Sequence, residues 1–200
     1  MVIFLNAAVL QAELARQTNH LGHLPRFVAV LGDYSEAKVV ITSAQRSAYA
    51  LDQLRQQLSE ELRHRVIGMT EENSHDERPG SRQWEVLIWL DGYDPDAQWV
   101  SLDDHAPAYS SPRRLVLCRN GFKQQEETEL RALLTEIRQF GRWQDYRDRC
   151  ITFFGAADKA LRWLSKPKVQ FEGLSPRDMF DAGRLNELND LLTRAEHGIW

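Results

Sequence analysis

The sequence opens with Val2-Ile3-Phe4-Leu5-Asn6, four apolar residues that lead directly into a polar one. Short apolar runs rich in Val and Ile, without polar alternation, are typical of strands covered on both faces of a parallel sheet. The pattern recurs three times: Val39-Val40-Ile41 ends at Thr42-Ser43, Trp99-Val100-Ser101-Leu102 ends at Asp103-Asp104, and Leu115-Val116-Leu117-Cys118 is the last run.

Helical patterns separate these predicted strands. Apolar residues recur at intervals of three and four within residues 51–62, 82–91 and 130–137. Strands that alternate with amphipathic helices form βαβ units with right-handed crossovers. The predicted fold class is therefore α/β, a Rossmann-like parallel sheet with flanking helices, followed by a small all-α C-terminal module. Ligands bind such sheets beyond the carboxyl ends of the strands, which here carry Asn6, Thr42 and Asp103-Asp104.

Composition excludes several classes of protein. A net charge of −4 over 200 residues lacks the basic excess of a nucleic-acid-binding protein. The amino-terminal residues lack a basic segment followed by a long apolar one, so we predict no signal peptide, and no apolar run reaches membrane-spanning length. Cys118 and Cys150 form no CxxC pair, which favours buried free thiols in a reducing compartment. We expect a cytoplasmic protein.

Across roughly residues 1–140 the strand ends resemble those of the haloacid-dehalogenase-like (HAD) phosphatase superfamily. In that family the first strand ends in Asp-x-Asp, the second motif strand in Thr or Ser, and a later strand in an acidic pair that helps to hold magnesium. Thr42-Ser43-Ala44-Gln45-Arg46 matches the second of these motifs and Asp103-Asp104 the acidic pair. The stretch Leu62-Arg63-His64-Arg65-Val66-Ile67-Gly68 looks like the small bacterial HAD subgroup related to RNA-repair fusions.

The first motif departs from the family pattern. Asn6 and Ala8 stand where the resemblance places the nucleophile and the general acid, and the loop is one residue short. Because a neutral amide is a poor nucleophile and a methyl group transfers no proton, we predict a catalytically dead site, a pseudoenzyme. Asp103 and Asp104 alone would make a weak residual magnesium site, and we predict no cofactor.

Structural roles compete with functional ones at these strand ends. Asp103-Asp104 could form a strand-end turn with a following helix cap, and Thr42 or Ser43 could cap a helix that contains Arg46. We favour these structural roles over catalysis. An anion pocket made of Thr42, a helix N-terminus and Arg46 stays open as an alternative.

The last fifty residues read as short helices. Residues 156–164 are amphipathic and end before Pro167, and Ser175-Pro176-Arg177-Asp178 has the N-cap, the first-turn proline and the acid of a helix start. Leucines continue at helical spacing over residues 184–197, and Gly198 is a C-cap signal. Three short helices make only a small core, so we expect them to pack on the preceding domain or on another chain.

This tail resembles the toxin-binding domain of MbcA/ParS/Xre-type antitoxins over nearly all of residues 153–200. That pattern has an Ala-rich helix ending in Trp-Leu, a Pro, a Gly-x-x-Pro connection, and a leucine helix that runs into Arg-x-Glu-His-Gly and an apolar or aromatic terminus. The matching residues are Ala160-Leu161-Arg162-Trp163-Leu164, Pro167, Gly173-Leu174-Ser175-Pro176 and Leu191-Leu192-Thr193-Arg194-Ala195-Glu196-His197-Gly198-Ile199-Trp200. Phe171-Glu172 and a shortened connection at Asp181-Ala182-Gly183 depart from it.

The resemblance implies a cognate toxin as partner, usually of the RES type, an enzyme that degrades NAD. It points to Arg194, Glu196, His197, Gly198, Ile199 and Trp200 as partner-binding residues. Trp200 would be the anchor, since aromatic side chains dominate interface energies. The alternative is that Ile199-Trp200 packs back on its own helices. The family's usual DNA-binding domain is not visible here, so DNA binding is not carried over.

We therefore predict an antitoxin-like protein with three parts: a degenerate HAD-like domain at 1–140, a connecting helix or linker at 141–152, and a helical toxin-binding module at 153–200. A homo-oligomer within a toxin complex and the absence of membrane partners fit this prediction. The alternative function is a HAD-type phosphatase or a nucleic-acid-end-processing hydrolase with a nonstandard site.

Overall fold

A computed structural model of the chain describes residues 1–10, 22–42, 50–56, 58–71 and 78–199. The Cα positions divide into two compact units, Met1–Leu134 and Thr135–Trp200. Within the described ranges no helix is both long and apolar enough to cross a membrane.

The first unit is built on a five-stranded parallel sheet in the order β3-β2-β1-β4-β5. The strands are β1 (Val2–Leu5), β2 (Lys38–Ile41), β3 (Val66–Met69), β4 (Trp99–Asp103) and β5 (Leu115–Leu117). Every residue of β1 is buried, because β1 lies between β2 and β4 and both faces of the sheet are covered. The α/β fold class and the four predicted strands are confirmed.

The fifth strand, β3, was not predicted as a strand. Gly68 interrupts its apolar pattern, and a glycine inside a strand weakens the strand and often marks a place where another group approaches closely. Here the ring of Trp89 provides that approach, since a Cβ on Gly68 would lie 3.0 Å from its Cζ2 atom. The reason for the glycine therefore lies in tertiary packing.

The first unit also contains α1 (Leu24–Asp33), α2 (Leu51–Gln56), α3 (Glu60–Arg63) and α4 (Ser81–Tyr93), and α5 (Gln124–Phe140) crosses into the second unit. The leucine spacing over residues 51–62 is divided between two short helices. Ser59 starts the second one, because its Oγ accepts the backbone N–H of Leu62 at 3.4 Å. The polar stretch from Glu71 to Gly80, whose Asn, Ser, Pro and Gly residues predict a loop, falls largely outside the described residues.

The second unit continues with α6 (Trp143–Phe154), α7 (Ala157–Ser165), α8 (Pro176–Asp181) and α9 (Leu185–Glu196). The predicted start of α8 is confirmed, because Ser175 Oγ accepts the Asp178 N–H at 3.1 Å while Asp178 Oδ2 accepts the Ser175 N–H at 2.8 Å. The core of this unit joins an aromatic group to the buried faces of α8 and α9; its members are Phe140, Trp143, Tyr146, Phe180, Met179, Leu188 and Leu192.

The units divide inside α5, and α6 from the predicted connecting segment 141–152 belongs to the second of them. Tyr146 on α6 donates its hydroxyl to Leu188 O on α9 at 3.0 Å, which ties this segment to the C-terminal helices. The predicted division of the chain into a domain at 1–140, a connecting helix or linker at 141–152 and a module at 153–200 stays a prediction.

Candidate functional site

The ends of β1 and β4 meet at the carboxyl edge of the sheet. Asn6 follows β1, and Asp103 and Asp104 stand at the end of the neighbouring β4. The Asn6 side-chain amide donates from Nδ2 to Asp103 Oδ1 and to Asp104 Oδ1, each at 3.3 Å. The structure therefore brings together the strand-end residues that the sequence singled out.

The orientation of the Asn6 amide follows from its surroundings. The backbone N–H of Ala8 donates to Asn6 Oδ1 at 3.2 Å, and a backbone amide can only donate. The oxygen of Asn6 must therefore face Ala8, and its NH₂ group must face the two carboxylates. A carboxylate at position 6 could accept the Ala8 N–H in the same way, but it would offer no hydrogen-bond donor to Asp103 and Asp104.

Asp103 is the buried centre of this cluster, with 1% of its surface exposed. Its Oδ1 also accepts the backbone N–H of His105 at 3.1 Å, and its Oδ2 accepts the Tyr109 hydroxyl at 3.1 Å. Burial, together with the negative charge of Asp103, raises the pKa of Tyr109, so the phenol keeps its proton and stays a donor. The hydrogen bond from the His105 N–H to the Asp103 side chain forms a turn directly after β4, which is the structural role predicted for Asp103.

Asp104 stands beside Asp103 and is more exposed. Partial desolvation of its carboxyl, followed by the contact with Asp103, raises the pKa of Asp104. Two carboxylates this close together repel each other, and the Asn6 amide donates one hydrogen bond to each of them. Asn6 thus supplies part of the stabilisation that a cation would otherwise provide.

Arg82, in the first turn of α4, is the positively charged member of the cluster and was not singled out from the sequence. Its Nη1 donates to the Thr42 carbonyl and lies 3.5 Å from Asp103 Oδ2, and its Nε lies 3.8 Å from Glu85 Oε2. No spacing in the sequence connects Arg82 to β4. Only the crossover of α4 into β4 carries it to the same edge of the sheet.

Thr42 follows β2 at the same edge and is fully buried, with its backbone N–H bonded to Leu5 O at 2.9 Å. Ser43 and Arg46, which were predicted beside it, lie outside the described residues. The helix cap and the anion pocket that involve them stay predictions.

The residues present do not fit the magnesium site of the family that this domain resembles. Magnesium takes oxygen ligands in octahedral geometry, whereas Asn6 turns its NH₂ group toward the carboxylates. The oxygens of Asp103 already accept bonds from Asn6, His105 and Tyr109. Among the described residues, no group of three or more His, Cys, Asp or Glu side chains is arranged to hold a metal ion.

A cavity of about 720 Å³ opens between the end of β3 and α4 and was not predicted. It is lined by Met69, Glu71, Glu85, Ile88, Trp89, Gly92 and Tyr93. The rings of Trp89 and Tyr93 have centroids 4.8 Å apart, and Glu85 connects the cavity to Arg82. An apolar wall with a few polar groups is the usual composition of a small-molecule pocket.

The predicted partner-binding residues cluster at the end of α9. Gly198 has φ +70°, its N–H bonds Ala195 O at 3.0 Å, and the Ile199 N–H bonds Arg194 O at 2.9 Å. This is the Schellman arrangement, in which a glycine in the left-handed region ends the helix, so the predicted C-cap is confirmed. His197 caps the helix, and Arg194, His197 and Ile199 are exposed, Ile199 with 61% of its surface. Trp200 lies outside the described residues.

Glu196 is paired within its own unit. Arg149 on α6 donates from Nε to Glu196 Oε1 at 2.8 Å and from Nη2 to Oε2 at 2.5 Å. It also reaches Asn189 Oδ1 at 3.3 Å and Thr193 Oγ1 at 3.1 Å. The pairing lowers the pKa of Glu196 and raises that of Arg149. Arg149 thus fixes the last turns of α9, a role that the sequence did not indicate because 47 residues separate the two partners.

Two family models match the chain. The model of the HAD domain in Swiss Army Knife RNA repair proteins matches residues 9–127, and the model of the antitoxin Xre/MbcA/ParS C-terminal toxin-binding domain matches residues 151–198. The first match begins beyond Asn6 and Ala8 and includes Asp103 and Asp104; the second includes Arg194 to Gly198. No curated protein and no solved structure matches the chain.

Proposed function

This chain belongs to the family of HAD domains in Swiss Army Knife RNA repair proteins and carries an antitoxin toxin-binding domain at residues 151–198, and we propose that it is an antitoxin that neutralises a RES-type, NAD-degrading toxin. The antitoxin domain supports a toxin partner in general. The RES type is proposed because the antitoxins that this module resembles usually pair with such toxins. Since these toxins act on NAD, we place the encounter in the cytoplasm.

The binding surface proposed for this toxin is the end of α9 and the residues that follow it. The observation that carries the proposal is the exposure of Ile199, the last residue of the Schellman turn, which follows the Arg149–Glu196 pair in the chain. A helix end held from two sides presents the following residues in a fixed direction, which lowers the entropy lost on binding. Trp200, proposed from the sequence as the anchor, continues this segment.

The test is co-expression of the chain with the product of the neighbouring gene, with growth rescue and copurification as readouts. We expect Ile199→Ser and Trp200→Ala to weaken binding by about 2 kcal/mol or more, the size of an interface hot spot. Val169→Ser is the matched control, because Val169 is an exposed aliphatic residue of the same unit outside this segment. Equal rescue by all three variants would remove the terminal segment from the proposal.

For the HAD domain we propose a non-catalytic role. Three features support it: Asn6 at the nucleophile position, Ala8 at the general-acid position, and carboxylates that are already engaged by hydrogen-bond donors. Aspartyl-phosphate chemistry needs an ionised carboxylate and a metal ion to organise the phosphoryl group. The purified protein should therefore show no magnesium-dependent turnover of a phosphomonoester.

A phosphatase or nucleic-acid-end-processing hydrolase is the second candidate function. It is favoured by the family of the first domain and by the Asp103-Asp104 pair beside Arg82. The same assay separates the two proposals. Magnesium-dependent release of phosphate from a phosphomonoester or an RNA 3′ end, abolished by Asp104→Asn, would establish the hydrolase and refute the non-catalytic role.

A further inference from the structure

The cavity between the end of β3 and α4 plays no part in the proposed function. Its volume of about 720 Å³ lies in the range of pockets that hold small molecules. The cluster of Asn6, Asp103 and Asp104 does not contribute to its lining. The residues that do line it indicate which kind of molecule would bind.

Two aromatic side chains of α4 form one wall of the cavity. Trp89 and Tyr93 are one helical turn apart, and their ring centroids are separated by 4.8 Å. Trp89 is held from behind, because its ring makes an edge contact with Phe4 at 5.7 Å between centroids and lies close to Gly68. Tyr93 is 53% exposed, so part of its ring surface is available to a ligand. The wall is already ordered, which lowers the entropy lost on binding.

A glycine in α4 leaves room in the cavity. Gly92 lines the cavity near the carboxyl end of the helix, a place where glycine is less favourable than alanine. A Cβ on Gly92 would have open space around it, so packing within the chain does not require a glycine there. A larger side chain at this lining position would instead take up part of the cavity.

The charged residues of the lining are acidic. They are Glu85, which is buried on α4, and Glu71, which is exposed after β3. Glu85 lies 3.8 Å from Arg82, whereas Glu71 has no ion pair within the described part of the chain. None of the described lining residues is a Lys, an Arg or a His. The cavity therefore favours a ligand with a positive charge over one with a negative charge.

We infer that this cavity binds an organic cation, a molecule with an alkylated ammonium group and an apolar body. A positive charge over the face of an aromatic ring is attracted by the ring quadrupole, and more strongly where water is displaced. Glu71 attracts the same charge, and Met69 and Ile88 offer apolar surface to the body of the ligand. This inference goes beyond the proposed function and does not depend on it.

The test is an NMR titration of the full chain with choline, followed through the indole N–H signals. We expect saturable binding with a dissociation constant of roughly 10⁻³ M, which is ordinary for so small a ligand. The neutral tert-butyl analogue of choline, in which carbon replaces nitrogen, should bind about tenfold more weakly, because it has the same shape without the charge. Guanosine is a second comparison, since a planar base could stack on the same rings and donate to a carboxylate.

Variants of the lining separate the charge from the apolar surface. Tyr93→Leu should weaken choline binding about tenfold, whereas Tyr93→Phe keeps the ring and should bind like the parent. Glu71→Gln should weaken it about threefold, and Gly92→Leu should abolish it by filling the cavity. The matched controls are Trp84→Leu and Asp91→Asn, which change exposed residues of α4 outside the lining and should bind like the parent.

Tyr93 and Glu71 are exposed, so their variants should unfold in urea at the same concentration as the parent. A parent chain that does not bind choline would overturn the inference. So would equal binding of the neutral analogue, tighter binding of guanosine than of choline, or a Tyr93→Leu variant that binds choline as the parent does.

Discussion

Asn6→Asp restores the residue that the HAD pattern expects, and we predict that it destabilises the protein. The parent amide donates from Nδ2 to two carboxylates, each at 3.3 Å. The new carboxylate at position 6 of the variant has no hydrogen-bond donor for Asp103 or Asp104, and it places a third negative charge at about the same distance. Two like charges about 4 Å apart repel by about 4 kcal/mol at an effective dielectric constant of 20.

The variant can escape this repulsion by taking up a proton. Protonating one carboxyl at pH 7, starting from an unfolded-state pKa of about 3.9, costs about 4 kcal/mol, which sets the size of the expected destabilisation. Repulsion among the three carboxylates raises the pKa of one of them in the folded state. The free energy of unfolding of the variant therefore falls as the pH rises from the unfolded-state pKa toward the folded-state pKa. Lowering the pH from 7 to 5 should therefore recover about 2.7 kcal/mol.

The assay is urea unfolding of the full chain at pH 7 and pH 5, first with EDTA and then with millimolar Mg²⁺. Three carboxylates form a better cation site than two, so Mg²⁺ should stabilise Asn6→Asp by about 1.4 kcal/mol for each tenfold excess over its dissociation constant. Asn6→Ala is the control, because it removes the same donor without adding a charge and should gain much less from acid or Mg²⁺. If Asn6→Asp matched the parent at pH 7 in EDTA, the amide would not be compensating the two carboxylates.

Three further outcomes are expected. Met179→Ala, at a fully buried position, should lower the free energy of unfolding by about 2–5 kcal/mol, while Met179→Leu should cost less than about 1.5 kcal/mol; equal effects in urea titrations would contradict the close packing of this core. Gly198→Ala, at φ +70°, should cost about 1–2 kcal/mol and increase hydrogen exchange in the last turn of α9, whereas Gly32→Ala, inside a helix with open space around the Cβ, should be neutral or stabilising; loss of stability in Gly32→Ala alone would contradict this. The pKa of Glu196 is lowered by its pair with Arg149, so the pair stabilises the fold above about pH 4.3 and this stabilisation is lost as the pH falls. The loss should be about 1 kcal/mol, because both side chains are partly exposed. Glu196→Gln should therefore make the free energy of unfolding depend less on pH in the acid range, and an unchanged dependence would show that the pair contributes nothing.

The sequence by itself determined the elements whose signals are local. Four of the five strands follow from short, largely apolar runs, and the start of α8 and the end of α9 follow from Ser175-Pro176 and Gly198, because capping depends on residues within one turn. It also indicated which strand ends would meet, since parallel strands present their carboxyl ends at one edge of the sheet. Asn6 and Asp103 are found there as predicted.

Only the tertiary structure decided the contacts between residues far apart in the chain. Arg82 joins the cluster because the α4 crossover brings it to β4, and Arg149 reaches Glu196 because α6 packs on α9; neither pair has a spacing that a sequence pattern could detect. β3 was not predicted because Gly68 interrupts its apolar run. The reason for a glycine at this position is the close approach of the Trp89 ring, which no neighbouring residue in the sequence indicates. The direction in which the Asn6 amide points likewise depends on three partners that meet only in the folded chain.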